Sequence, residues 1–126
     1  MGILGAALPT IIVCTRDRDR STAFYRDVLG LELAFEDRYA AVFRTGGVNL
    51  RVSTVSDFTP HGHTIVGFKV RDVTAAVKAL GEKGVVFGIH EGFAQDELGI
   101  LSMLDGTLQV AWFKDPDGNV LSVTNV

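Results

Sequence analysis

Apolar and polar residues alternate with a period of two over Leu8–Cys14. The spacing then becomes helical over Asp17–Leu29, where Ala23, Phe24, Val28 and Leu29 recur on one side and Gly30 follows as a stop signal. Three strand-like runs come next, Leu31–Asp37, Tyr39–Thr45 and Val48–Val55, divided by Arg38 and by the Gly46-Gly47 turn signal. The first half thus reads β-α-β-β-β. After a polar connector, Ser56–Gly62, His63–Val70 reads as a strand and Val73–Lys83 as a helix ended by Gly84. Val85–Ile89, Leu108–Lys114 and Asn119–Thr124 read as strands, so the second half repeats the first.

Register supports the repeat. Arg16-Asp17 matches Arg71-Asp72 at an offset of 55, and Gly30-Leu31 matches Gly84-Val85 at 54, whereas Gly47 and Gly118, which lead into the last strands, are 71 apart. The second half therefore carries about 17 extra residues, placed between His90 and Thr107. The expected organisation is a single domain over 1–126, with module one over about 8–55, a connector at 56–62 and module two over about 63–125. Neither module buries enough surface to be comfortable alone, so they should share a core or exchange partners between chains. Exposed strand edges further predict a homodimer.

Strand periodicity sorts the side chains onto two faces. Ile11, Val13, Leu50, Val52, Val66, Phe68, Leu121 and Val123 fall on a wholly apolar face suited to helix packing. Thr10, Ile12, Cys14, Arg51, Ser53, Lys69 and Ser122 fall on a mixed one. The expected fold class is α+β: two βαβββ modules forming curved mixed sheets around a cleft, with helices on the outer face. A mostly apolar cleft with a few polar groups suits a small molecule. The candidate ligand-binding residues are Thr10, Cys14, Arg51, His63, Lys69, Trp112 and Ser122.

Each candidate has two readings. Arg51 presents a planar fork of donors to a carboxylate, phosphate or enolate-like oxygen, or else pairs with Glu32, Glu36 or Asp37. Cys14 is a nucleophile if Lys69 lowers its pKa, or an inert buried thiol. Trp112 stacks on a ligand or packs in the core. Phe24, Tyr25 and Phe68 are expected at the helix–sheet interface, while the pattern leaves the facing of Phe35, Phe43, Phe87, Phe93, Trp112 and Met103 open. The insertion, Glu91–Gly106, is expected to border the cleft as a lid or to add a hairpin strand. Asp115–Asn119 resembles a calcium loop only in composition and is predicted as a tight turn. The alternating charges of Arg16–Arg20 mark a helix start capped by Asp17, Asp19 or Ser21.

Composition narrows the partners. With 126 residues, 13.6 kDa, 47% apolar residues, a net charge of -3 and a pI near 5.5, nothing attracts polyphosphate, and nucleic acid is disfavoured. The one cysteine cannot form an internal disulfide or a paired-cysteine zinc site, which fits a reduced, cytoplasmic setting. Met1–Leu8 is too short for a leader, Ala6 stands where a myristoylation motif wants Ser or Thr, and no apolar run approaches a membrane span.

The repeat, the run Phe24-Tyr25-Arg26-Asp27-Val28-Leu29-Gly30-Leu31 and the run Trp112-Phe113-Lys114-Asp115-Pro116-Asp117-Gly118-Asn119 together resemble the vicinal oxygen chelate superfamily. That superfamily includes glyoxalase I, extradiol dioxygenases, fosfomycin-resistance thiol transferases and bleomycin-resistance binding proteins. The resemblance extends from Leu8 to Asn125. It implies one divalent metal held by His, Gln or Glu from the first and last strand of each half. Those positions fall here on Thr10, Arg51, Ile65 and Ser122, which cannot hold a metal: isoleucine has no lone pair, arginine is a cation and hydroxyls alone bind too weakly. The expectation is a binding protein of the bleomycin-resistance type with no metal and no cofactor. One alternative is an enzyme of the same superfamily, a lyase, isomerase or dioxygenase. It would use metal-free acid–base chemistry or a displaced metal on His61 and His63 with His90, Asp96 or Glu97 as a third ligand. Another is a scaffold whose mixed face joins subunits.

Overall fold

The computed structural model describes residues 2–126, and the chain divides into two compact units, the first running to Phe58 and the second from Thr59 to Val126. Met1, the first residue of the arm considered above as a leader, lies outside the described residues. In the first unit β1 (Thr10–Thr15) leads to α1 (Arg18–Ala23) and then to β2 (Glu32–Glu36), β3 (Ala40–Arg44) and β4 (Asn49–Thr54). The sheet order is β1-β4-β3-β2, with β1 parallel to β4 and the other pairs antiparallel. Asp17 caps α1, its carboxylate accepting from the Arg20 N–H at 3.1 Å. The helix does not continue as a plain α-helix to Leu29. From Phe24 to Val28 it widens into a π-helix, a form mostly met as a single turn inside α-helices.

Under α1 lies the apolar face of the sheet. Val13, Val52 and Ala41 stand in one cross-strand row, each at most 1% exposed, and Leu50 and Phe43 in the next are fully buried. Tyr25 of the π-helix packs on Phe43 with ring centroids 5.9 Å apart. Side chains of this size stabilise the fold by roughly 1.5–3 kcal/mol each when buried. This row is where the predicted apolar face proves to be core.

The second unit repeats the plan. It contains β5 (Thr64–Lys69), α2 (Val73–Glu82), β6 (Leu101–Met103), β7 (Leu108–Lys114) and β8 (Val120–Thr124), in sheet order β5-β8-β7-β6 with β5 parallel to β8. Asp72 caps α2 as Asp17 caps α1, accepting from the Ala75 N–H at 3.0 Å. α2 buries Val73 and Val77 and packs on β7 and β8. Two four-stranded mixed sheets, each with a helix on one face, make the α+β class inferred from the repeat. Among the described residues no helix is long and apolar enough to cross a membrane.

Two expectations need correction. Val85–Ile89 is irregular instead of a strand, touching the sheet through the Gly88 N–H bonded to the Trp112 carbonyl at 2.8 Å and through Phe87 packed 5.5 Å from Phe113. The edge position goes to β6, from the insertion. β6 reaches β7 across the short turn at 104–107, and closing so short a loop costs less entropy than pairing across some twenty residues. Secondly, β5 carries a bulge: Thr64 pairs with Val120 and Val66 with Leu121, leaving Ile65 unpaired. Asn49 and Val120 each lie two residues after a turn glycine, and Thr10 pairs with Asn49, so the register equivalent of Thr10 is Thr64, not Ile65.

The run Asp115–Asn119 is a tight turn, as its composition predicted. The buried Asp115 carboxylate accepts from the backbone N–H groups of Asp117 and Asn119 at 2.9 and 3.0 Å and from the Asn119 amide at 2.8 Å. Gly118 has φ +91, with Pro60 so close that a Cβ there would sit 3.3 Å from its ring. Asp115→Ala is expected to cost on the order of 3 kcal/mol, because it strands two buried backbone donors. Chemical denaturation checks this, and a loss below about 1 kcal/mol would show that water replaces the carboxylate.

Candidate functional site

On the second sheet's mixed face, Gly67, Ser122 and Trp112 form one cross-strand row. Ser122 is buried, and a Cβ at Gly67 would come within 3.2 Å of its hydroxyl oxygen. Trp112 is half-buried, and the pairing settles the facing that periodicity left open. Around it the irregular segment supplies two more rings. Phe93 is stacked on Trp112 with centroids 5.7 Å apart, and His90 stands edge-on to Trp112 at 5.0 Å.

Gln95 holds that segment in place. Its amide oxygen accepts from the His90 N–H at 2.6 Å, while its NH2 donates to the Gly88 and Gly99 carbonyls at 2.9 and 2.8 Å. At the start of β5, His63 is stacked on His61 with ring centroids 5.0 Å apart. A cavity of about 240 Å³ opens among these groups, lined by His63, Thr64, His90, Phe93, Trp112 and Val120. Four rings, a hydroxyl and an isopropyl group make it amphipathic. Two imidazoles offer both donor and acceptor nitrogens to a ligand.

The first unit's candidates lie elsewhere. Arg51 shares the mixed face with Ile12, Val42 and Phe35, and its guanidinium meets Asp37 at 2.8 Å. The same Asp37 carboxylate accepts from the Tyr39 and Ala40 N–H groups at 2.8 and 2.9 Å, closing the β2–β3 turn. The carboxylate pairing expected of Arg51 is made, with Asp37 just past the end of β2. Thr10 lines a separate cavity of about 170 Å³ with Arg44, Thr45 and Asn49. Cys14 is half-buried beside Ser53 on the mixed face, and exposed Lys69 pairs in register with Thr124. A wider trough of about 650 Å³ beside α2 is walled mainly by Val77, Val85, Val86, Phe87, Ile89 and Leu98.

With the register corrected, the superfamily's metal positions fall on Thr10, Arg51, Thr64 and Ser122. These do not fit a divalent ion, since three hydroxyls and a guanidinium already on a carboxylate supply no anionic or imidazole donor. The displaced set does not form either. Among the described residues no three His, Cys, Asp or Glu side chains group as a metal site, and Asp96 instead closes a turn by accepting from the Leu98 and Ile100 N–H groups, both at 2.9 Å. Of the predicted residues, His63 and Trp112 line this cavity and Ser122 lies beside Trp112; His90, considered above only as a metal ligand with His63, lines it too, as does Phe93 from the insertion. No periodic signal could have placed them, because the segment that carries them is irregular.

Residues 7–123 match the family model of the Glyoxalase/Bleomycin resistance protein/Dioxygenase superfamily. An uncharacterized protein of Mycolicibacterium smegmatis is 35% identical over 75 residues, which span 59% of this chain and 64% of that relative. Among solved structures, a member of the same superfamily from Sphaerobacter thermophilus aligns with TM-score 0.72 at 22% identity, covering 94% of this chain and 96% of its own. A lactoylglutathione lyase from Agrobacterium tumefaciens aligns with TM-score 0.71 at 17% identity, over 94% and 92%. At these identities the two structures speak for the fold.

The Asp37 carboxyl lies below its ordinary pKa, chiefly because the Tyr39 N–H donates to it, with the Arg51 guanidinium and the Ala40 N–H adding to the effect against partial desolvation. A carboxylate depressed in this way stabilises the fold above its unfolded pKa, and the contribution disappears as pH falls through the folded value. Asp37→Asn is therefore expected to lose less melting temperature than the parent between about pH 5 and about pH 2. Circular dichroism melts across that range check it, and parallel losses in the two proteins would contradict the assignment.

Proposed function

The chain belongs to the Glyoxalase/Bleomycin resistance protein/Dioxygenase superfamily, and within it we propose that this protein binds a small organic molecule without a protein-held metal. The donor set carries this reading: Thr10, Arg51, Thr64 and Ser122 stand at the positions that the resemblance to the superfamily's metal enzymes implies for an ion, and the one charged group among them is already on Asp37. The amphipathic cavity beside Trp112 supports the same reading, since apolar walls with a few polar groups are the usual form of a small-molecule site. The activity is retention of the ligand, in a reduced, cytoplasmic compartment consistent with a chain of one cysteine.

Protein purified without chelators or affinity tags should carry far less than one divalent metal per chain by elemental analysis. Native mass spectrometry after incubation with a cell extract should show one small molecule retained. A stoichiometric transition metal that survives dialysis overturns the reading, as does a chain that keeps its bare mass in every extract tried.

We propose a second copy of the chain as its protein partner. Each sheet ends on edge strands, β1 and β2 in one and β5 and β6 in the other, and an isologous pairing is the commonest way to cover such edges. Sedimentation at micromolar concentration should give twice the 13.6 kDa chain mass, and a species of 13.6 kDa alone would refute the dimer.

A further inference from the structure

We infer that the cavity among His63, His90, Phe93 and Trp112 takes a single aromatic ring bearing one acidic group, with the ring against Trp112 and the acid at the imidazoles. The inference rests on the small-molecule reading above and names the ligand's class. Size comes first. The cavity holds about 240 Å³, whereas a cavity of about 150 Å³ suffices for benzene, so a ring with one substituent has room.

Shape follows from the walls. Phe93 and Trp112 stack with an interplanar angle of 19°, too close at 5.7 Å to admit a ring between them, so a ligand ring meets their outer surface or edge. His90 stands at 79° to Trp112 and turns the wall into a corner. A flat ring fits a corner of this kind better than a branched chain, because it can meet one wall face-on and the other edge-on.

Charge separates acid from base. Aromatic walls also attract cations, but cation sites gain from a nearby carboxylate, and none lines this cavity. Its polar groups are instead the His63 and His90 rings and the Thr64 hydroxyl, all able to donate a hydrogen bond. A carboxylate can accept from these groups, whereas an ammonium finds no charged partner among them. Gln95, which bonds the His90 N–H and two carbonyls, fixes the backbone that presents the donor.

Trp112 is the chain's single tryptophan, so its emission reports this cavity alone. Benzoate should change that emission saturably. Benzylammonium, with the same ring and the opposite charge, and cyclohexanecarboxylate, with the same charge and no aromatic ring, should each bind at least about tenfold more weakly. His90→Phe keeps a ring and removes the donor, and it should abolish the preference for benzoate over benzylammonium while leaving the circular dichroism spectrum unchanged. His63→Phe, on a different segment, repeats the test should the first variant fail to fold. Benzylammonium binding as tightly as benzoate, or no saturation by benzoate, overturns the assignment. A cationic or aliphatic molecule retained from the extract, with benzoate inert, also overturns it and leaves metal-independent binding standing.

Discussion

The parallel pairing of β1 with β4, and of β5 with β8, is the constraint on which the rest depends. Parallel neighbours cannot be joined by a hairpin, so the chain must travel back before it can pair again. In each unit a helix makes the return along one face of the sheet, and the remaining strands add antiparallel on the far side of the last strand. This arrangement separates the faces. The helix side must be apolar, as Val13, Val52 and Leu121 are, while the opposite side is free to carry Arg51, Ser53 or Trp112.

Where a residue's role is local, its sequence context was enough to read it. Asp17, one of three cap candidates, closes a hydrogen bond within its own helix start, and the Asp115–Asn119 turn was legible from its Pro and Gly, although the capping by Asp72 and the bonds of the Asp115 carboxylate were not assigned. Roles decided by a distant partner were not legible in this way. The extra residue at Ile65 has no chemical signature, because any aliphatic can occupy a bulge, and it shifted the inferred register by one. Val85-Val86-Phe87 has strand composition, yet a hairpin that closes more cheaply takes its place at the edge. The facing of Trp112 depends on its pairing with Ser122, across the sheet, and Phe93 reaches it from a segment with no period at all.

The two mixed faces use their polar groups differently. In the first unit Arg51 and Asp37 satisfy each other, and Arg18 donates to the carbonyls of Asp37 and Arg38, so charge there fastens the β2–β3 turn to the strand and helix beside it. In the second unit the row contains no charged pair: it runs from Gly67 through buried Ser122 to Trp112, and imidazoles stand around the ring. The first face therefore has its strongest group neutralised from within, and the row across the second presents an aromatic surface beside a hydroxyl.

Gln95 joins three backbone segments through one amide: the strand-like run at Gly88, the turn at His90 and the approach to β6 at Gly99. None of these bonds can be kept if the side chain leaves, since the same planar group makes all three. Segment 88–99 is thus tied at three points through one residue. Losing that side chain would therefore loosen all three at once, and His90 and Phe93, which the segment brings up to Trp112, share one anchor.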